Sequence, residues 1–228
     1  VDDQRGDGEN TKIEKYSIEE FAMDNFRPAS KKSMSMTLGR KSKAKNPWGH
    51  GRDAIKSALL KKIVASEDLN GKAVQIFQGI MRYMGDAPNK KPRQSTDLTD
   101  LIMEHPLSQE ALRDEVYCQL IKQLSDNRSR MSEERGWELF WLCTGCFACS
   151  TLLLKEVKLF LRSKSQQQSL ATDCQNRLAK TIRNGQRKYP PHLVEVVAIQ
   201  NKKISIYHKV YFPDDTDQAF EVDSGTRA

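Results

Sequence analysis

Three cysteines recur at a spacing that is compatible with binding of an iron–sulfur cluster. The run Cys143-Thr144-Gly145-Cys146-Phe147-Ala148-Cys149 has the form C-x-x-C-x-x-C. The bacterial ferredoxin pattern continues with a fourth cysteine and a proline, but leucine and threonine residues follow Cys149, and the next cysteine is Cys174. No Cys/His pair elsewhere supplies the second half of a zinc site. Because buried cysteines behave as small hydrophobic residues, we interpret the run as helix thiols and expect neither a metal nor a cofactor.

Other residue types that perform chemistry are scattered along the chain. None of the four histidines has a cysteine or serine in a recognisable catalytic frame: His50, His105, His192 and His208. Neither the G-x-x-x-x-G-K-[ST] nor the G-x-G-x-x-G phosphate-binding pattern occurs. The sequence therefore gives no positive support for an enzyme. The cysteine count is odd, and most cysteines lie inside helical patterns, which indicates a reducing compartment such as the cytoplasm rather than a disulfide framework.

Basic residues are concentrated in two blocks of the chain, whose formal net charge is +7. Residues 27–62 contain eleven Lys/Arg against one acid, and residues 150–209 contain twelve against three. Two basic blocks on a near-neutral scaffold indicate attraction to an acidic surface. The alternative is a solvated helix face and a disordered basic loop, neither of which binds a partner.

The elements that would position these residues are predominantly helical. Ser17-Ile18-Glu19-Glu20 forms a capping-box pattern and predicts a first helix that ends before Pro28. Apolar residues at helical spacing predict further helices over 54–63, 74–84, 98–103, 112–124, 137–143, 153–161 and 170–183. Serines are expected to start three of them: Ser108, Ser132 and Ser150. Gly85 and Gly185 are expected to end two, and Pro190-Pro191 to begin a last short helix.

The two ends of the chain and one loop differ from this helical pattern. Residues 1–12 are polar and acidic and are expected to be disordered. They lack an initiator Met and an apolar signal region, so we expect an internal piece of a longer protein. Residues 28–50 lack periodicity and predict a basic loop whose far end is pinned by Trp48. Residues 203–212 and 219–222 have strand-like patterns around a turn, which predicts a β-hairpin.

Several blocks of sequence resemble the myosin tail homology 4 (MyTH4) domain of unconventional myosins and some kinesins. Two blocks, 112–124 and 132–143, carry residues that the resemblance marks as structural: Arg113, Asp114, Glu115, Tyr117, Gln119, Arg135, Gly136 and Trp137. Met84-Gly85-Asp86, residues 184–191 and residues 195–199 match the same family. The blocks occur in the family's order over about residues 16–200, and residues 209–217 are most similar to class VII myosins.

The resemblance implies an all-α helical bundle over residues 13–200, followed at 201–228 by a β-hairpin that begins the ubiquitin-like first lobe of a FERM domain. In that family the two domains form one rigid unit. The implied role is a non-catalytic tail module of an actin-based motor, which binds cargo or adaptor proteins and, in some relatives, microtubules. The implied location is the cytoplasm, at the cytoskeleton and its actin-based protrusions. The myosin ATPase is not carried over, because the chain contains no nucleotide-binding loop.

Candidate binding residues follow from charge and helical spacing. The candidates for acidic partners such as tubulin tails are Lys155, Lys158, Arg162 and Lys164. Candidates for the FERM junction or for a partner are Arg177, Lys180, Arg183, Arg187 and Lys188. The basic loop contributes Arg40, Lys41, Lys43 and Lys45. The alternative for these residues is a solvated surface.

A second hypothesis is a basic module that binds phosphoinositide membranes. Met34, Met36 and Leu38 lie beside basic residues and could enter the membrane interface. Nucleic acid is not an expected partner, because the basic blocks lack interleaved aromatic residues and a recognition-helix motif.

Overall fold

The protein is built mainly from helices, as shown by a computed structural model that describes residues 18–28, 48–88, 96–203 and 206–222. Its helices in these ranges are α1 (Ile18–Asn25), α2 (Lys61–Val64), α3 (Glu67–Met84), α4 (Asp97–Ser108), α5 (Ala111–Leu124), α6 (Arg130–Cys146), α7 (Thr151–Lys164), α8 (Ser169–Asn184) and α9 (Leu193–Gln200). Two strands, β1 (Ile206–Tyr211) and β2 (Asp217–Val222), follow. The predicted helical bundle with a C-terminal hairpin is confirmed. The predicted acidic lead and residues 29–47 of the predicted loop lie outside the described residues.

The core is centred on helix α6, which packs against α3, α5 and α8. The rings of Trp137 on α6 and Phe160 on α7 are stacked, with centroids 5.7 Å apart. Phe140 packs beside both rings, and the hydroxyl of Tyr117 on α5 donates to the carbonyl of Phe147 at 2.8 Å. Burying these aromatic side chains removes a large apolar area from water, which is the main favourable contribution to folding.

The segment before α2 is the clearest departure from the predicted helices. The apolar pattern predicted a helix over 54–63, but the helix covers only Lys61–Val64. The backbone N–H groups of Leu59 and Leu60 donate to the Glu115 carboxylate at 2.7 and 2.9 Å. The N–H of Ala58 donates to Asn70 Oδ1 at 2.8 Å. The prediction was wrong because buried side chains satisfy these donors, which a helix would have used internally.

Three of the predicted helix starts were also wrong. Helix α6 begins after Ser129, whose hydroxyl accepts from the N–H of Ser132, so Ser132 lies in the first turn. Ser108 is the last residue of α4, and its hydroxyl donates to carbonyls of that same helix. Helix α9 begins after His192 rather than at Pro190-Pro191. The predicted start at Ser150 is confirmed.

Glycines end two helices as predicted. Gly85 follows α3 with φ 81° and Gly185 follows α8 with φ 86°, values that favour residues without a Cβ. Because α3 stops at Gly85, Asp86 turns back toward the bundle, where its carboxylate is buried.

The C-terminal hairpin is antiparallel, with register Ile206↔Val222 through Tyr211↔Asp217. The side chains of its strands are largely exposed, and Tyr211 reaches 73% exposure. Such a hairpin is marginally stable by itself in water. None of the described helices is both long and apolar enough to span a membrane.

Candidate protein-interaction surfaces

Helix α7 has an apolar face and a basic face. Its buried residues are Leu153, Val157, Phe160 and Leu161. Lys155, Lys158 and Arg162 are exposed on one face, and Lys164 is half-buried near the C-terminal end of the helix, off that face; we call these four residues the basic stripe. At a rise of 1.5 Å per residue, the basic stripe extends roughly 13 Å along the helix. The structure therefore places the first set of predicted residues on one helix, three of them toward solvent.

The start of α7 is fixed by the buried carboxylate of Asp114 on α5. The N–H and the hydroxyl of Ser150 donate to Asp114 oxygens at 2.7 and 2.8 Å. Lys62 Nζ lies 2.6 Å from the same carboxylate. Charge-assisted bonds of this kind are stronger than neutral ones. They hold the helix that carries the basic stripe at a defined position on the core.

The surroundings of the basic stripe in the sequence are poor in negative charge. Glu156 is the one acid in α7, and residues 157–172 contain none. Leu152, near the helix start, is 63% exposed. Clustered positive charge therefore lies on the same helix as one exposed apolar side chain, Leu152. Such a surface is suited to an acidic polypeptide.

Two arginines of the second predicted set are mostly shielded from solvent and form an ion-pair cluster with Glu195, which we call the α9 clamp. The guanidinium of Arg177 donates to Glu195 Oε1 at 2.9 Å, and Arg187 donates to Glu195 Oε2 at 2.7 Å. Arg177 also donates through Nε to the Trp141 carbonyl at 3.1 Å. The Arg177 and Glu195 side chains are only 10% and 7% exposed. These contacts join α8 and the following loop to α9.

The electrostatics of the α9 clamp keep Arg187 charged. Burial lowers the pKa of this guanidinium, but the neighbouring Cys146 and Glu195 raise it, and the net pKa shift is upward. The backbone N–H of Arg187 donates to the Cys146 carbonyl at 2.8 Å. A buried carboxylate with two arginine partners has its charge compensated on both oxygens.

The other members of the second set differ in exposure. Arg183 and Lys188 are exposed, and Lys180 is half-buried. Lys188 Nζ lies 5.2 Å from the centroid of the Tyr189 ring. Of the predicted FERM-junction set, Arg177 and Arg187 therefore form the clamp, whereas Arg183 and Lys188 face solvent.

Helix α9 presents an apolar face that the sequence reasoning did not single out. Val196 and Ile199 are buried, but Leu193, Val194 and Val197 are 45%, 50% and 38% exposed. We call these last three residues the α9 patch. The sequence contains one signal for this exposed apolar face. Glu195 is the single acidic residue of α9, and because its side chain faces inward, apolar side chains of the same short helix face outward. Exposed apolar patches on rigid elements commonly mark interaction surfaces.

The C-terminal end of the predicted basic loop is attached to the bundle. The rings of Trp48 and Phe26 have centroids 4.8 Å apart. His50 Nε2 lies 3.0 Å from Asp86 Oδ2, which also accepts from Gln123 and Ser132. Arg40, Lys41, Lys43 and Lys45, predicted as the basic-loop residues, lie outside the described residues.

Six of the eight residues that the resemblance marks as structural are buried in the bundle, whereas Arg113 is half-buried and Arg135 is exposed. Arg113 Nε donates to the Pro106 carbonyl at 2.9 Å. Gln119 donates to the Ala73 carbonyl and to Glu115. Gly136 allows close packing, because a Cβ there would lie 2.7 Å from Leu124 Cδ2. The Arg135 guanidinium lies beside Gly85, where it would be 3.0 Å from an added Cβ.

The cysteines of the C-x-x-C-x-x-C run are free thiols that are largely shielded from solvent. Cys143 and Cys146 are buried and Cys149 is partly buried. Burial raises the pKa of both Cys146 and Cys149 to about 12, so these thiols stay protonated and unreactive at neutral pH. Among the described residues, no group of three or more His, Cys, Asp or Glu side chains is arranged to hold a metal ion.

Comparison with known proteins shows which family these features belong to. The MyTH4 domain family matches residues 99–198. Myosin-VIIa of Drosophila melanogaster is 56% identical over 214 residues, which covers 93% of this chain and 10% of that protein. Unconventional myosin-VIIb of Mus musculus is 38% identical over 213 residues, again 93% of this chain and 10% of that protein. The chain thus spans about a tenth of the length of these relatives.

Solved structures agree with the sequence relatives. The human Myosin 7b C-terminal MyTH4-FERM domain, solved with the harmonin-a PDZ3 domain, has a TM-score of 0.81 and 39% identity, covering 98% of this chain and 43% of that one. The MyTH4-FERM MF1 domain of Dictyostelium discoideum Myosin VII has a TM-score of 0.74 and 27% identity, covering 92% and 42%. The chain belongs to the MyTH4 domain family, and it is similar in sequence and structure to class VII myosins.

Proposed function

We propose that this chain is a non-catalytic tail module of an actin-based myosin, which binds cargo or adaptor proteins together with an adjoining FERM domain. The observation that carries this proposal is the α9 patch, held outward by the α9 clamp and followed directly by an exposed hairpin. The expected location is the cytoplasm, at the actin cytoskeleton and its protrusions.

The exposed apolar residues support a FERM domain in cis. Two consecutive elements, α9 and the hairpin, both expose apolar side chains, including Val194 and Tyr211. Covering such side chains with a folded lobe removes apolar area from water at about 25 cal/mol per Å². The human Myosin 7b structure contains both domains in complex with the harmonin-a PDZ3 domain, which favours protein partners for this chain. We place the boundary between the two domains at residues 200–201.

A patch substitution tests the junction with FERM. Val194→Asp should leave the stability of the present chain nearly unchanged, because Val194 is half exposed. In a protein extended through a complete FERM domain, the same change should lower the Tm by several degrees. Met131→Asp, at a residue 62% exposed on α6, is the matched control. Equal effects of Val194→Asp on the short and extended proteins would contradict a role for the α9 patch at the junction.

The basic stripe supports a second binding activity, toward acidic polypeptides such as tubulin tails. Clustered Lys/Arg attracts an acidic chain over a Debye length of about 8 Å at physiological salt. The test is co-sedimentation of the FERM-extended protein with taxol-stabilised microtubules at low and moderate salt, with tail-stripped microtubules as a control. We expect binding that weakens with salt and is lost with the tails.

Charge reversal identifies the surface responsible. Lys155→Glu with Lys158→Glu should abolish microtubule binding, whereas Arg183→Glu with Lys188→Glu makes the same change in net charge elsewhere and should retain it. Equal losses in both variants would indicate nonspecific attraction. Absence of binding at low salt would exclude microtubules and leave adaptor recognition as the function.

Phosphoinositide membranes are the alternative partner for the same positive charge. Binding to vesicles with and without phosphoinositide distinguishes a membrane partner from an acidic polypeptide. Vesicle binding that survives Lys155→Glu with Lys158→Glu would assign membrane attraction to residues other than the basic stripe.

A further inference from the structure

The C-terminal end of the basic stripe contains a serine in a setting that suits phosphorylation. Ser165 follows the last residue of α7 and precedes an exposed turn at Gln166 and Gln167. Its hydroxyl donates to the Arg162 carbonyl at 2.8 Å, in a solvent-exposed hydrogen bond. Helix ends fray readily, so the hydroxyl can leave this bond without disturbing the buried residues of α7.

The charges around Ser165 match what a basophilic kinase recognises. Arg162 lies three residues before Ser165 and is exposed, and Lys164 immediately precedes it. No acidic residue occurs from 157 to 172, so nothing near the serine in sequence would repel an acidic kinase cleft. Charge patterns of this kind decide kinase–substrate specificity.

The neighbouring Ser163 is exposed, whereas Ser165 is half-buried, but Ser163 has no arginine three residues before it. The residue three positions before it is Phe160, which is fully buried and stacks on Trp137. The hydroxyl of Ser163 donates to the Phe160 carbonyl at 2.7 Å within the helix. Placing Ser163 in a kinase cleft would require pulling Phe160 out of the core, which costs far more than fraying the last turn of α7.

We propose that Ser165 is a phosphorylation site for an arginine-directed Ser/Thr kinase and that its phosphate switches off binding by the basic stripe. In the reaction, Ser165 Oγ forms a bond to the γ-phosphorus of MgATP, the bond to the leaving ADP breaks, and the kinase base takes the hydroxyl proton. The product replaces a hydrogen-bond donor by a group with a charge of about −2 at neutral pH.

The effect on the basic stripe follows from charge and helix polarity. The four residues of the stripe carry four positive charges, and one phosphate offsets about half of them. A negative group at a helix C-terminus is also unfavourable, so the last turn of α7, which contains Arg162 and Lys164, should loosen. This consequence rests on the acidic-partner function proposed above, whereas the modification itself does not.

The modification is tested by incubating the purified chain with MgATP and the catalytic subunit of cyclic-AMP-dependent protein kinase, followed by phosphopeptide mapping. We expect phosphate on Ser165. Relative to the wild-type chain, the rate of Ser165 phosphorylation should be unchanged in Ser163→Ala and at least about tenfold lower in Arg162→Gln. Ser42, which follows Arg40 and Lys41, reports that the kinase is active. Phosphate on Ser42 without phosphate on Ser165, or equal labelling of Ser163 and Ser165, would overturn the assignment.

The effect on binding is tested on immobilised poly-glutamate with a salt gradient. Kinase-treated wild-type protein should elute at lower salt than kinase-treated Ser165→Ala, which shares every other modification. Coelution of the two proteins would overturn the switch. If the untreated chain does not bind poly-glutamate, the acidic-partner function fails and with it the switch, while phosphate incorporation still decides whether Ser165 is a modification site.

Discussion

The guanidinium carbon of Arg177 lies 3.4 Å from the centroid of the Trp141 ring. In this position the cation faces the electron-rich face of an indole, an attraction that strengthens when water is excluded. The same guanidinium reaches Glu195 on α9. Arg177 therefore connects a core tryptophan to the helix that bears the α9 patch, and a planar cation is required to make both contacts.

Substitution of Arg177 should reveal this dependence. Arg177→Ala leaves the carboxylate of Glu195 with one partner in a buried site, and we expect a loss of about 2–4 kcal/mol in the free energy of unfolding. Arg177→Lys should recover only part of it. Urea unfolding measures the effect, and Arg183→Ala, exposed on the same helix, should change stability by less than about 0.5 kcal/mol. Equal effects at the two positions would exclude the α9 clamp as a stabilising cluster.

Glu115 should make stability depend on pH in a defined direction. Burial raises the pKa of this carboxyl above its ordinary value, against the lowering effect of the Leu59 and Leu60 N–H groups. A carboxyl with a raised pKa in the folded state stabilises the protein fully below its unfolded pKa of about 4.3, and this contribution is lost as pH rises through the folded pKa. Gln resembles the protonated carboxyl, so the destabilisation caused by Glu115→Gln should be larger at about pH 4 than at about pH 8.

The measurement for Glu115 is urea unfolding of both proteins at the two pH values. Glu104→Gln, at an exposed position on α4, controls for general charge effects. A destabilisation by Glu115→Gln that grows with pH would show that hydrogen bonds to the carboxylate, rather than burial, determine its pKa.

Two helical glycines should respond oppositely to alanine. At Gly136 the new Cβ would lie 2.7 Å from Leu124 Cδ2 and 2.8 Å from Met84 Cε, so side chains must shift. We expect Gly136→Ala to cost about 1–3 kcal/mol of stability by overpacking. At Gly71 no atom outside its own helix lies within 4 Å of the added Cβ, and Gly71→Ala should stabilise α3 by about 0.5–1 kcal/mol. Thermal unfolding of both variants tests the pair, and a stabilised Gly136→Ala would contradict the packing described for α6.

The cysteines should be protected from thiol reagents in the folded protein. Cys143, Cys146, Cys118 and Cys174 are buried, whereas Cys149 is partly exposed. With pKa values raised by burial, little thiolate exists near pH 8, and labelling by Ellman's reagent should be slow until urea unfolds the chain. Mass spectrometry should find Cys149 modified first. Rapid native labelling of Cys143 would show that the α6–α8 packing opens.

A structural feature can be predicted from the sequence when the residues that contact each other lie near each other in the chain. Apolar periodicity located α3 and α5, and the basic spacing on α7 placed Lys155 and Lys158 on one face, because these are local properties. The helix expected over 54–63 does not form because Glu115, more than fifty residues later, binds its N–H groups. Such a contact leaves no local signal.

The same limit explains the second set of basic residues. Arg177 and Arg183 are both arginines on one helix, yet Arg177 is buried against Trp141 and Arg183 is exposed. Their difference depends on where Glu195 lies after the turn at Gly185, which the helical pattern does not specify. Charge alone therefore predicted the positions of cations but not which of them were available to a partner.

The bundle anchors the chain on both sides of residues 29–47. On one side, the Arg27 N–H and Nε donate to the Leu59 and Ala58 carbonyls at 2.7 and 2.8 Å. On the other, His50 is bound to Asp86 at 3.0 Å. Both attachment points are therefore set by contacts within the bundle, and an insertion between Arg27 and His50 should leave those contacts in place.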